Sequence, residues 1–201
     1  MTTPHRLAAR RHEQHDASVA AVLVLGVAGA GKSTLAGELN RHGLTAVDSD
    51  EVLARWVDDE GRCVEYPVEP DPAWLAAHHW NWDGVRLDVL LRGAGGTLPV
   101  CGNAFNVMEF VPRFALVILL ELDTGTMLRR VSSRGTTFGR TSATRAWLLG
   151  WAPGFQRNIK RLGTRAVDAR LPAKCVADTV IRLSDEQGLI DSGERERPDG
   201  P

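Results

Sequence analysis

Residues Gly26-Val27-Ala28-Gly29-Ala30-Gly31-Lys32-Ser33 fit the pattern G-x-x-x-x-G-K-[ST]. Glycines at this spacing let the backbone wrap a phosphate without Cβ clashes. The N–H groups of the loop and of the following helix start then point at anionic oxygens. Lys32 is placed to reach β- and γ-phosphates, and the Ser33 hydroxyl is a Mg²⁺ ligand in such loops, with Thr34 beside it. A second acidic stretch, Asp48-Ser49-Asp50, follows one helix later. Two carboxylates two residues apart can divide the work, one holding Mg²⁺ and the other taking the proton of an attacking hydroxyl. The competing reading is a helix N-cap, with Asp48 or Ser49 capping a segment from Glu51.

Both stretches need a parallel sheet to bring them together. The apolar run Val19–Leu25 reads as a buried strand entering the glycine loop. A helix follows from Lys32 to about His42, with Gly43 as its stop. Further strands are expected at Leu44–Val47, Thr97–Cys101, Ala115–Leu122 and Arg165–Asp168. Helices are expected from Thr124 to Ser132 and from Pro172 to about Leu183. This alternation predicts an α/β domain: a five-stranded parallel sheet in a three-layer sandwich, helices on both faces, ligands beyond the strands' carboxyl ends.

Two segments interrupt the rhythm. Residues 51–96 hold four of the six tryptophans, Trp56, Trp74, Trp80 and Trp82. Asp71-Pro72 predicts one helix start and Asp83-Gly84 another, so this insertion reads as helical. Residues 133–163 are rich in glycine and arginine. Residues 1–18 read as a mobile arm and 184–201 as a disordered tail.

The chain has 201 residues and a formal net charge of −1, which argues against a general nucleic-acid or membrane-surface binder. No apolar run reaches membrane-span length, and Cys63, Cys101 and Cys175 fit neither a disulfide framework nor a zinc site, so a cytoplasmic setting is expected. Charge is uneven, however: ten basic residues but only Asp123 and Asp168 as acids lie between Asp123 and Arg170. A basic second half facing an acidic first half suits a site with polyphosphate on one side and a hydroxyl acceptor on the other.

From about Ala20 to Leu183 the chain resembles the small P-loop kinases: shikimate kinase, gluconate kinase, chloramphenicol phosphotransferase and the adenylate-kinase-like nucleotide kinases. The resemblance rests on Gly26–Ser33 followed by Asp48-Ser49-Asp50, which looks like the Asp-x-Asp of shikimate kinases. It implies that Asp48 is associated with Mg²⁺ and Asp50 with the acceptor hydroxyl. It also implies that residues 51–96 bind the acceptor and 133–163 form a lid, with Arg134 or Arg140 reaching the transferring phosphoryl group and Arg130 contacting the nucleotide. The chain departs from that pattern after the third strand, where Cys101-Gly102-Asn103-Ala104-Phe105-Asn106 replaces a triple-glycine turn. Asn103 is a candidate acceptor contact there, with a plain turn as the alternative. Trp80 and Trp82 suggest a flat aromatic or sugar-like acceptor, with packing as the competing reading for any one tryptophan.

The sequence thus predicts a small-molecule kinase, monomeric or homodimeric, that moves the γ-phosphoryl group of ATP or GTP, with Mg²⁺, to a hydroxyl. A nucleoside-like or antibiotic acceptor is the leading class, as in antibiotic self-resistance. The alternatives are a regulatory P-loop ATPase or GTPase without an acceptor, or a nucleoside monophosphate kinase.

Overall fold

The computed structural model describes residues 20–133, 138–139 and 141–190. Its centre is the strand β1 (Ala21–Gly26), every residue of which is buried. Around it lie α1 (Lys32–Arg41), β2 (Val47–Asp48), α2 (Ser49–Val52), β3 (Ala54–Val57), α3 (Pro72–Ala77), β4 (His79–Trp82) and α4 (Gly84–Gly93). The chain continues through β5 (Leu98–Cys101), β6 (Leu116–Glu121), α5 (Thr124–Ser133), α6 (Ser142–Lys160), β7 (Arg165–Asp168) and α7 (Ala173–Glu186). Five strands form one sheet in the order β2-β5-β1-β6-β7, all pairs parallel.

Because successive side chains leave a strand on opposite faces, β1 feeds two cores. Val22 and Val24 join Leu35, Leu39, Met127, Val176 and Val180 under α1, α5 and α7. Ala21, Leu23 and Leu25 join Leu53, Leu87, Phe110 and Ile159 on the other face. The expected three-layer sandwich is therefore present.

The structure corrects several element boundaries. The second strand is Val47–Asp48 rather than Leu44–Val47. The Asn40 carboxamide donates to the Ala46 carbonyl (3.1 Å) and accepts from its N–H (2.7 Å), so Ala46 finds its partners outside a ladder. The last helix runs past Leu183 to Glu186, so part of the expected tail is ordered. Gly188, at φ +66°, ends it in a Schellman motif, with Gly188 N–H on the Asp185 carbonyl and Leu189 N–H on the Ser184 carbonyl. Leu189 then packs against the first core.

The insertion is helical at α3 and α4, capped by Asp71 and Asp83 as expected. It also contains an antiparallel pair, β3 with β4, that a purely helical reading excludes. Their sequences, Ala-Arg-Trp-Val and His-Trp-Asn-Trp, have the aromatic and branched content of strands. About twenty intervening residues separate them, too many for a hairpin signal. The arginine-rich segment carries a 19-residue helix, α6, capped by Thr141 with Pro153 inside it. Among the described residues no helix is long and apolar enough to cross a membrane.

Candidate active site

The loop after β1 has the shape its glycines allow. Gly29 and Gly31 sit at φ +80° and +89°, where a side chain is strained. A Cβ on Gly26 would come within 2.9 Å of the Ala30 Cβ, so the strand end and the loop pack too closely for any larger residue. The Lys32 ammonium donates to the carbonyls of Gly26 (3.0 Å) and Val27 (3.2 Å), lying along the loop rather than away from it. Ser33 and Thr34 are exposed on the first turn of α1.

Strand register places the acids. Asp48 pairs with Cys101 of β5, which pairs with Val24 of β1, two residues before the loop. Asp48 thus stands two strands from the glycine loop, at the same carboxyl end of the parallel sheet. The buried Cys101 thiol reports the local field: its pKa is pushed up to about 12, chiefly by burial, then by Asp48, with Lys32 opposing. Asp48 is also the N-cap of α2, its Oδ1 accepting from the Asp50 N–H at 3.0 Å. The capping and the metal readings both fall on this residue, since one oxygen serves the cap.

Asp50 is exposed, and its Oδ1 accepts a hydrogen bond from the Trp80 indole N–H at 3.2 Å. The structure therefore brings together two candidates that lie thirty residues apart. Ser49, between the acids, is fully buried and fills the space where Gly102 lacks a side chain. Beyond Gly102, the Asn103 Oδ1 is buried without a partner. Trp82 differs from Trp80. It is 3 % exposed and packs with Leu53, Leu87 and Phe110, so its ring belongs to the second core.

Trp80 opens onto an aromatic wall. Trp56 stacks on Tyr66 (ring centroids 5.2 Å apart) and meets Trp74 edge-on (5.0 Å) and Trp80 (5.6 Å). Phe138 approaches both Trp56 and Tyr66 and passes the contact to Trp147, Trp151 and Phe155 along α6. The Tyr66 hydroxyl is buried without a partner. Tyr66 and Phe138 were not legible as site residues, because each comes from a different irregular stretch and no spacing links them.

On the other side of the loop, Arg130 donates to the carbonyls of Gly29 (3.1 Å) and Ala169 (2.9 Å). Its guanidinium ties the glycine loop to the turn after β7. In that turn Asp168 holds Arg170 through paired hydrogen bonds, which keep the Asp168 carboxyl down at about 2. Arg134 and Arg140 lie outside the described residues. No cluster of three or more His, Cys, Asp or Glu suited to a metal occurs among the described residues.

A solved structure superposes on this framework: shikimate kinase from Acinetobacter baumannii in complex with shikimate. It is 16% identical, with a TM-score of 0.55 over 86% of this chain and 97% of that one. The fold is that of the P-loop kinases. Looser matches are deoxyadenosine kinase from M. mycoides with bound dATP and a sugar kinase from Janibacter sp. The first is 14% identical, with a TM-score of 0.48 over 82% of this chain and 99% of that one. The second is 18% identical, with a TM-score of 0.48 over 83% of this chain and 95% of that one. No family model matches the chain, and no curated protein matches it in sequence.

Proposed function

We propose that this chain is a small-molecule kinase that transfers the γ-phosphoryl group of ATP or GTP to a hydroxyl of a nucleoside-like or antibiotic acceptor. The observation that carries the reading is Asp50, exposed in α2 just after β2, two strands from the glycine loop at the same end of the sheet, with one carboxylate oxygen held by Trp80. A carboxylate fixed in this way has a second oxygen to receive a proton. In the proposed reaction the acceptor hydroxyl gives its proton to Asp50 as its oxygen bonds to the γ-phosphorus. The bond from that phosphorus to the β–γ bridging oxygen breaks, and the nucleoside diphosphate leaves.

Lys32 and the loop N–H groups bind the phosphates in this scheme, and Arg130 holds the loop against the turn at Ala169. Mg²⁺ fits the donors present. Ser33 and Asp48 offer hard oxygen ligands on neighbouring elements, and an ion that keeps several waters and phosphate oxygens needs few from the protein. When bound, the ion neutralises charge on the β- and γ-phosphates. Asn103 and Trp80 face the acceptor in this reading, and Trp82 supports them from the core.

The test is mass-spectrometric detection of phosphorylated product. Protein, Mg²⁺ and ATP or GTP are supplied with a panel of nucleosides, sugars and hydroxylated antibiotics. A product with mass increased by one phosphoryl group supports the kinase reading. Nucleotide hydrolysis with no product from any acceptor sinks it in favour of a hydrolysing switch.

A further inference from the structure

We infer that the acceptor is a flat-ringed compound without phosphate or carboxylate, bound best when it carries a protonated amine. This inference rests on the kinase reading for the word acceptor, but its physical basis is the charge and ring content of residues 51–96. That segment contains nine carboxylates against four arginines and no lysine, a net of −5. To hold an anionic acceptor with its own charges it would have to present a guanidinium, or a protonated His78 or His79, of which His78 stacks on Trp74 and His79 faces Asp59 at 3.5 Å.

Three of the four arginines are engaged by carboxylates of the same segment. Arg62 is bound by Asp58 at 2.7 Å and Glu60 at 2.8 Å. Arg55 faces Asp83 at 3.6 Å, and Arg86 faces the same carboxylate at 3.6 Å. The fourth, Arg92, lies nine residues beyond Asp83 along α4, roughly 13 Å at the helical rise. Strand alternation adds a second separation. Trp56 and Trp80 are paired across β3–β4, whereas Arg55 pairs with Asn81 one residue on and projects from the opposite face.

What the wall does present suits a cation on a ring. His78 stacks on one face of Trp74 and Trp56 stacks on Tyr66, and the ring surface that these half-buried side chains and Trp80 leave open attracts a flat ring and, through the ring quadrupoles, an ammonium group. The Asp50 carboxylate stands at one end of the wall. The Tyr66 hydroxyl and the Asn103 Oδ1, both buried without partners, can each accept from a donor-rich ligand.

The experiment uses the full chain and follows quenching of its own tryptophan fluorescence. The probes are two charge-matched sets: 5′-amino-5′-deoxyadenosine, adenosine and adenosine 5′-monophosphate; and 2-amino-1-phenylethanol, 1-phenyl-1,2-ethanediol and mandelate. The amine is expected to bind roughly tenfold tighter than the anion within a set, the gap narrowing as salt is raised. Asp50→Asn removes the carboxylate at the end of the wall and should cut the amine's advantage over the anion about threefold. An anion bound as well as or better than its amine overturns the inference, as does quenching by neither set or an undiminished amine preference in Asp50→Asn. A parallel reaction with MgATP separates the two readings. Amine-first binding with no phosphorylated product counts against the kinase reading alone; product formation with the anion bound best counts against this one alone.

Discussion

Asp50 and Trp80 form the smallest unit on which the mechanism can be tested. Trp80→Phe keeps the ring and removes the N–H that holds the carboxylate, a bond to a charged group worth about 1.5 kcal/mol. Turnover should fall roughly tenfold while the KM for nucleotide stays put, and steady-state kinetics against both substrates will show whether the loss is confined to kcat. Asp50→Asn should cut turnover further, about a hundredfold or more, without weakening nucleotide binding. Unchanged turnover would make Asp50 a helix residue only and move the role to Asp48. The acid at the strand end was legible from sequence, because an Asp after a short apolar run in an alternating chain has few other places to be. Its bond to the Trp80 indole was not, since Trp80, a candidate in its own right, lies on a strand that its helical neighbours disguise. For Trp82 the ring packs, the competing reading of the sequence: two tryptophans two residues apart share a face of β4, but only the one nearer the second core is covered.

At the scale of elements, two contacts set the geometry around the phosphate loop. Arg130 joins α5 to the loop and to the turn after β7. Arg130→Ala removes both bonds and should raise the KM for nucleotide roughly tenfold with a smaller change in kcat, since each bond from a charged donor is worth about 1.5–3 kcal/mol when made and its loss is partly offset by water. The second contact is steric. A Cβ on Gly102 would overlap the Ser49 side chain, which is buried between β2 and the turn after β5. Gly102→Ala should lower stability by about 1–3 kcal/mol in urea unfolding, and adding Ser49→Gly should recover most of it. The parallel sheet and the two capped helices of the insertion followed from local signals: apolar runs, Gly43, Asp71-Pro72 and Asp83-Gly84. The β3–β4 pair and α6 did not. The first depends on pairing across a long excursion, and in the second Gly150, Pro153 and Gly154 obscure an apolar stripe that Leu148, Ala152 and Ile159 bury.

Over the whole molecule, Cys101 offers a built-in reporter. Cys63 and Cys175 are exposed, whereas Cys101 is fully buried with its thiol pushed up to about 12. A thiol reagent at neutral pH should label the first two in the native protein and Cys101 only at the rate of global opening, which mass spectrometry with increasing urea will show. Acid provides a second reading. The Asp168 carboxyl sits at about 2, below its ordinary 3.8, because Arg170 binds its charged form. Its contribution is therefore complete above the ordinary value and is lost as pH falls through about 2, and carboxyl NMR titration of the folded chain should place the midpoint there. Among the described residues three carboxamides tie one segment to another, each gripping both the N–H and the carbonyl of a single residue. Asn40 grips Ala46, Asn106 grips Trp82, and Gln156 grips Leu122. Each side chain needs both its donor and its acceptor for this, so deamidation would turn one arm of the grip into a carboxylate facing a carbonyl oxygen. Deamidation of Asn40 or Asn106 would therefore loosen the edge strand or the aromatic insertion while the central sheet stays intact.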